Sequence, residues 1–481
     1  MVTNTNGKKE KPQPFLIPDF CKACGRCITA CPNDCIAMGT HIDPATGVTP
    51  VVLDLEKCSK CGLCMTACPE PYGMMAEPPE AHDVDFELLD PAKLFGDKAT
   101  DAPEPQDIPG EKRPLPNLEP MVLKGNHAAA VGALLAGCRH FFGYPITPST
   151  EGAELLAKLL PQLDGVFVQA VSEVATVNMM YGCGGAGLPS MTFTSSPGFS
   201  LMLEGISYMI GAELPGVFVD VMRGGPGLGN IAPEQADIKL ACRGLGHGNT
   251  HAIVLAPSTP QEMLDLSMLA FDLSFKYRNP VILVSDGYLG QMSGRVNLPD
   301  YLVKPGLPKW AVFGDEMHRR NLICSIQLIE ADLEEHNRHL IDKYNRIRAA
   351  EQRADCFYCD DAEWIIVGCN TPARMAKGAV QELRDAGIKA GLFRPISLWP
   401  FPVDHLLPLL ERVRGIVMVE ASPGQLEDEL RLALSHAGVT ELPQMHRVQR
   451  YGGVLPQQHE IVTAVSRAAQ SETLVTTGGV A

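Results

Sequence analysis

GVFVDVM, residues 216–222, reads as a short buried strand, dominated by β-branched and apolar side chains. Runs of the same kind lie on either side of it: VFVQA (166–170), SMTFTSS (190–196), HAIVLAP (251–257) and PVILVSD (280–286). Helical patterns separate them, among them NHAAAVGALLAG (126–137) and the amphipathic PQEMLDLSMLAFDLSFKY (260–277). Strands alternating with helices predict a parallel sheet covered by helices on both faces. We expect this α/β domain to occupy residues 121–299.

A second α/β block is expected over 361–470. Its strands are WIIVGC and GIVMVEAS, and its helices PARMAKGAVQELRDAG and LEDELRLALSHAG, the last closed by glycine. Residues 300–360 form a less regular connecting segment with a charged helix, LIEADLEEHNRHLIDKYNRIRAAEQRA. Residues 76–120 are rich in proline and acid and predict a semi-extended linker draped over a neighbouring surface. SETLVTTGGVA (471–481) reads as a disordered tail.

The N-terminal 75 residues have a different texture. CKACGRCITACP (21–32) is repeated as CSKCGLCMTACP (58–69). Each half is C-x2-C-x2-C-x3-C-P, the pattern in which three cysteines wrap one [4Fe–4S] cluster and the fourth reaches across to the other. The expected ligand sets are Cys21, Cys24, Cys27 with Cys68, and Cys58, Cys61, Cys64 with Cys31. Zinc sites use two ligand pairs rather than two interleaved sets of four. This part resembles the bacterial two-cluster ferredoxins, a small α+β fold. Cys35, a ninth cysteine in the module, is read as a non-ligand filling apolar space beside a cluster.

Composition narrows the class further. The chain has 481 residues, a formal net charge of -16 and no clustered Lys/Arg stripe, which argues against nucleic acid as a partner. No apolar run reaches the ~18 residues that span a bilayer. MVTNTNGKKEKPQPFLIPDF (1–20) lacks the apolar core of a signal peptide, so a cytoplasmic location is expected. Sixteen cysteines do not imply disulfides here, because nine of them fall before residue 70 in a metal-ligand pattern. Cys356-x2-Cys359 is read as two free thiols.

Ordered segments across the body carry a family resemblance. GYPITPSTE (143–151), GVFVQAVSEVATVNMMYGCGGAG (165–187) and the stretch from SSPGFSLMLEG to RGGPGLGN (195–230) are the first three. Residues 244–292, from GLGHGN to DGYLGQM, and FRPISLWPFP (393–402) complete them. Together they resemble the large subunit of 2-oxoacid:ferredoxin oxidoreductases, and within these the alpha subunits of the 2-oxoisovalerate type. In many members with four subunits the ferredoxin module is a separate chain; here it is fused.

The resemblance implies a doubly wound pyrimidine-binding domain followed by a transketolase C-terminal-like domain. It implies a thiamine diphosphate enzyme that oxidatively decarboxylates a 2-oxoacid with coenzyme A, giving acyl-CoA, CO2 and two electrons. The fused clusters would be the electron exit. Glu173, in VSEVATVN, matches the glutamate that bonds the cofactor's aminopyrimidine nitrogen; the alternative is a helix-start Glu favoured by the dipole. Thr147 matches a threonine beside the substrate, with Pro145 and Pro148 stiffening its loop; the alternative is a turn or cap residue. Tyr144 and Pro145 are placed at the cofactor. Arg223, directly after GVFVDVM, matches the substrate arginine, where a guanidinium suits a carboxylate; the alternative is a surface ion pair. Glu151 and Glu154 are weaker candidates, and Ser195, Ser196 and His247 lie in matched loops without an assigned role.

Two motifs are set aside. GCGGAG (182–187) fits a dinucleotide fingerprint but follows a helix and precedes a strand, so it reads as a helix-ending turn. SDG (285–287) lacks the downstream asparagine pair that thiamine diphosphate enzymes use with a GDG segment. A beta subunit is therefore expected to hold the diphosphate and Mg2+, and the resemblance implies a gamma subunit that helps bind coenzyme A, in a dimer of hetero-oligomers. A free ferredoxin, or a flavin subunit serving NAD, would accept the electrons. No second basic residue stands out for a distal carboxylate, which favours a branched-chain or aromatic 2-oxoacid, such as 2-oxoisovalerate or phenylglyoxylate. The alternatives are 2-oxoglutarate, pyruvate, or a subunit that only transfers electrons.

Overall fold

The computed structural model describes residues 13–43, 46–70, 73–76, 103–116 and 118–477. The chain divides into two compact units, Met1–Ala102 and Pro103–Ala481. Most of the expected linker, 77–102, and the last four residues of the expected tail lie outside the described residues.

In the first unit, strand β1 (Phe15–Leu16) will pair with β4 (Met74–Met75), and β2 (Ile36–Met38) with β3 (Val51–Leu53), both antiparallel. Two short helices, Arg26–Ala30 and Leu63–Ala67, occupy equivalent places in the two halves. Each follows a glycine in the left-handed region, Gly25 at φ 72° and Gly62 at φ 82°. Ala23 and Lys60, two residues earlier, are also left-handed. Two such reversals within six residues curl the backbone around a centre, and at Gly25 and Gly62 glycine removes the steric cost. The buried core is Cys27, Cys35, Ile36, Val51, Cys64 and Met74. So small a core needs a staple beyond apolar burial.

The second unit holds two main sheets. The larger has the order β18-β11-β12-β10-β9-β7-β8. Its parallel members are β7 (His140–Gly143), β8 (Val166–Gln169), β9 (Ser190–Thr194), β10 (Gly216–Met222), β11 (Ile253–Leu255) and β12 (Pro280–Asp286). Two helix pairs cover it: Gly125–Leu135 with Pro260–Tyr277, and Glu173–Gly185 with Ser196–Gly211. Strands β10 and β12 are buried along their whole length, as central strands coated on both faces must be. VFVQA differs from the buried strand its composition suggests: β8 ends the sheet and is only partly covered.

The smaller sheet has the order β15-β17-β16-β19-β20, from β15 (Ala354–Phe357), β16 (Trp364–Val367), β17 (Ala390–Pro395), β19 (Gly415–Glu420) and β20 (Gln444–Gln449). It is parallel except for β15. The second block therefore takes up residues 354–357, inside the stretch read as connecting segment. Only Ile396 separates β17 from β18 (Ser397–Trp399), which lies antiparallel on β11 at the edge of the larger sheet. One continuous extended segment thus belongs to both sheets.

Residues 103–116 and 118–120 of the stretch read as linker belong to the second unit. Strand β5 (Glu111–Pro114) pairs with β14 (Tyr301–Lys304), and β6 (Met121–Lys124) with β13 (Ser293–Val296). Helix Glu330–Ala350 is the charged connecting helix. The final helix, Gln458–Thr477, continues into the stretch read as a disordered tail. No helix among the described residues is long and apolar enough to cross a membrane.

Candidate functional site

Parallel strands place their carboxyl ends on one edge, and a crevice opens where successive strands depart in opposite directions. Here that point lies between β7 and β9, because β8 adds on one side of β7 and β9 on the other. The residues after β7 are Tyr144, Pro145, Ile146 and Thr147; those after β9 are Ser195 and Ser196; those after β10 begin with Arg223.

Glu173 opens helix Glu173–Gly185, whose Ser172 cap accepts the Ala175 N–H at 3.2 Å. It is only 5 % exposed. No hydrogen bond or ion pair joins its carboxylate to any described residue. It packs against Gly198, in the first turn of the next helix, where a Cβ would collide with Glu173 Oε1 and Thr194 Oγ1. Thr194 Oγ1 is itself buried without a partner. An unpaired buried carboxylate is costly unless something outside the chain bonds to it.

Arg223 is buried, and its guanidinium donates to the carbonyl of Thr147 at 2.9 Å and of Leu228 at 3.1 Å. It therefore ties the YPITP loop to the GGPGLGN loop, and its Nε is left without a partner. Thr147 is exposed, as are Tyr144 and Pro145. The Pro148 carbonyl anchors the loop by accepting from Asn126 at 2.8 Å and Gln291 at 3.2 Å. The polar contacts thus bring Thr147, Ser196 and Arg223 together, since Ser196 Oγ also accepts the Arg223 N–H at 3.1 Å.

Ser196 leads to a feature that the sequence reading missed. Its hydroxyl donates to Asp237, which neighbours Asp220 in the middle of β10. Asp220 is fully buried, and neither of its oxygens has an assigned partner. Burial first, then the facing Asp237, holds the Asp220 carboxyl well above the usual range. Burial pushes Asp237 up to about 6 against the opposing bond from Ser196. Two neighbouring carboxyls out of water resist both being ionised. The available signal was an aspartate inside the otherwise apolar run GVFVDVM.

A cavity of about 640 Å³ lies beside this network, lined by Ser196, Ser200, Gly225, Glu234, Gln425 and Tyr451 among others. Glu234 accepts the N–H groups of Gly225 at 2.9 Å and Gly452 at 3.1 Å, so the GGPGLGN loop is clasped to the second domain. Ser195 is turned away, donating to the Val221 carbonyl at 2.8 Å. His247 and Glu154 are exposed. Glu151 accepts from Asn126 at 3.2 Å in a supporting role.

The two motifs set aside have structural roles. Gly182–Gly185 complete a helix, and Gly187 at φ 71° ends it. The Asp286 carboxylate accepts from Tyr288 N, Leu289 N, Thr371 N and Thr371 Oγ1. Asp286 is fully buried, so these bonds use it as a cap and a tie between the two α/β domains. Cys356 is exposed and Cys359 buried on the edge of the smaller sheet.

In the first unit, Cys21, Cys24, Cys27 and Cys68 line one cavity. Cys31, Cys58, Cys61 and Cys64 line another, together with Cys35. Rings of thiols around a central space suit a cubane, whose irons hold the sulfurs apart.

Comparison with known proteins decides the relationship. The thiamine diphosphate-binding domain of pyruvate flavodoxin/ferredoxin oxidoreductases matches residues 131–355, and core domain II of pyruvate:ferredoxin oxidoreductase matches 362–461. A 4Fe-4S dicluster domain matches 20–71. The chain is 45% identical over 350 residues to ketoisovalerate oxidoreductase subunit VorB of Methanothermobacter thermautotrophicus, covering 72% of this chain and 97% of the relative. It belongs to the 2-oxoacid:ferredoxin oxidoreductase subunits. Another relative in the family is 2-oxoglutarate synthase subunit KorA of Methanocaldococcus jannaschii, at 35% identity over 71% of this chain and 98% of that one. A solved family structure is the 2-oxoglutarate:ferredoxin oxidoreductase of Magnetococcus marinus with 2-oxoglutarate, coenzyme A and succinyl-CoA bound. It aligns at TM-score 0.65 and 26% identity, over 72% of this chain and 65% of that one. The oxidoreductase chain thus carries a doubly wound thiamine diphosphate-binding domain, a second α/β domain and a fused dicluster ferredoxin domain.

Proposed function

We propose that this chain is the alpha subunit of a cytoplasmic enzyme that converts a 2-oxoacid and coenzyme A to acyl-CoA and CO2, the electrons leaving through the fused clusters. The observation that carries this reading is Glu173, buried and unbonded at the carboxyl edge of the sheet, in a chain that also carries two thiol-ringed cavities.

Thiamine diphosphate, when bound, supplies the nucleophilic carbon and the electron sink for decarboxylation. Glu173 would hold a proton at the cofactor's aminopyrimidine nitrogen, with Tyr144 and Pro145 lining that side. Thr147 is exposed, and its hydroxyl would bond the substrate. Arg223 keeps the two substrate-side loops in register, and its spare N–H groups suit a carboxylate. Because Asp286 is buried and bonded within its own chain, and SDG lacks a downstream asparagine pair, the diphosphate and Mg2+ would be held by a beta subunit. We further infer a gamma subunit, a dimer of such hetero-oligomers, and a ferredoxin or flavin subunit as electron acceptor.

The substrate we favour is 2-oxoisovalerate or a similar branched-chain or aromatic acid. The cavity beside Arg223 has no Lys or Arg in its lining, while Glu234 and Asp237 are acidic, which disfavours a second carboxylate. The likeness to the ketoisovalerate subunit points the same way. The test is anaerobic reduction of a viologen by the co-purified complex, with thiamine diphosphate, Mg2+ and coenzyme A. 2-Oxoisovalerate, phenylglyoxylate, phenylpyruvate, 2-oxoglutarate and pyruvate form the panel. Coenzyme A-dependent reduction with a branched-chain or aromatic acid is expected. Preference for 2-oxoglutarate or pyruvate would overturn the substrate, and no reduction by a fully loaded complex would favour an electron-transfer subunit.

A further inference from the structure

The two halves of the ferredoxin unit match in sequence and backbone, yet their cavities differ. Four cysteines line the first: Cys21, Cys24, Cys27 and Cys68. Five line the second: Cys31, Cys35, Cys58, Cys61 and Cys64. The fifth, Cys35, is buried, with its sulfur 3.0 Å from Cys31 Sγ. Cys58, on the opposite half of the repeat, lines the same cavity. It immediately precedes β2, where Ile36 pairs with Leu53, and its carbonyl accepts the Asp54 N–H at 2.8 Å. A side chain that merely fills apolar space would not need to enter the ring of thiols.

A cubane takes four thiolates, so this ring holds one thiol more than it needs. We propose that Cys35 is a reserve ligand of the second cluster, able to take the iron that Cys31 binds. The inference rests on the reading of this unit as a cluster carrier. In the exchange, the iron–sulfur bond to Cys31 breaks and one to Cys35 forms. The Cys35 thiol proton passes to the released Cys31 thiolate, and no electron is transferred. Where residue 31 has no sulfur, Cys35 binds directly and its proton goes to solvent. The first cavity has no such spare, so loss of Cys68 has no remedy.

The experiment uses the full chain, purified anaerobically with its partners as Cys31→Ala, Cys35→Ala, the double variant and Cys68→Ala. Iron and acid-labile sulfide are counted per chain, and the clusters are followed by electron paramagnetic resonance after dithionite reduction. Wild type, Cys35→Ala and Cys31→Ala are expected to hold about eight irons, the last with an altered spectrum. The double variant and Cys68→Ala are expected to lose iron from one cluster. Equal iron loss in Cys31→Ala and the double variant overturns the proposal. So does failure of Cys31→Ala to accumulate where Cys68→Ala does. Cys31→Ser, with and without Cys35→Ala, repeats the comparison with a hydrogen-bonding group kept at 31, and equal loss there overturns it too. Fewer than four irons in wild type would instead overturn the cluster reading itself.

Discussion

Glu173 and Gly198 form a matched pair: the carboxylate lies where the glycine leaves room for it, and no described residue bonds to it. Glu173→Gln keeps the shape and removes the proton-holding role, so turnover should fall by about 10²–10⁴-fold with iron content unchanged. Gly198→Ala should impair turnover by displacing the same carboxylate. Unchanged viologen reduction in both variants would show that Glu173 lies outside the chemistry. The Asp220–Asp237 pair predicts a pH effect. Both folded-state pKa values are raised, so the pair's contribution to stability is present below the usual carboxylate range near about pH 4. It is lost as pH rises through the Asp237 value of about 6 and on toward that of Asp220. Asp220→Asn replaces the protonated carboxyl by a neutral amide. Its melting temperature relative to wild type should therefore rise between about pH 5 and about pH 8, and a shift independent of pH would contradict the raised pKa of Asp220.

At the scale of elements, helix Glu330–Ala350 is fastened to the first domain by Lys343, which is 2% exposed and meets Glu213 at 3.2 Å and the Arg278 carbonyl at 3.3 Å. Glu213→Gln leaves that ammonium buried without its counter-charge. A loss of about 3 kcal/mol is expected in denaturant unfolding, and a loss below about 0.5 kcal/mol would show that Lys343 finds other compensation. The long apolar strands and amphipathic helices were legible because their patterns are periodic and self-contained. Helix Pro260–Tyr277 falls on the stretch its pattern marks. Strand β18 was not legible: three residues carry no period, and their place on β11 depends on a partner far away in sequence. The same is true of β15, whose pairing with β17 moves residues 354–357 into the second sheet. Among site residues, the repeated spacing marked eight cysteines, but not the approach of Cys35 to Cys31, which follows from the turn between them. The Glu234 clasp was equally hidden, because it joins loops more than two hundred residues apart.

The whole molecule couples an α/β body to an electron carrier in one chain, so both should act in one turnover. Cys24→Ala with Cys61→Ala removes one ligand from each cavity. That variant should still decarboxylate the first substrate molecule but reduce an external ferredoxin much more slowly. Wild-type ferredoxin reduction by a chain lacking both clusters would exclude them from the electron route. The most direct test of the central claim needs no external acceptor. The co-purified complex is mixed anaerobically with thiamine diphosphate, Mg2+, coenzyme A and 2-oxoisovalerate, then frozen for electron paramagnetic resonance. Reduced [4Fe–4S] signals are predicted in the wild type, and their loss in Glu173→Gln. Clusters that stay oxidised while acyl-CoA accumulates would contradict the account.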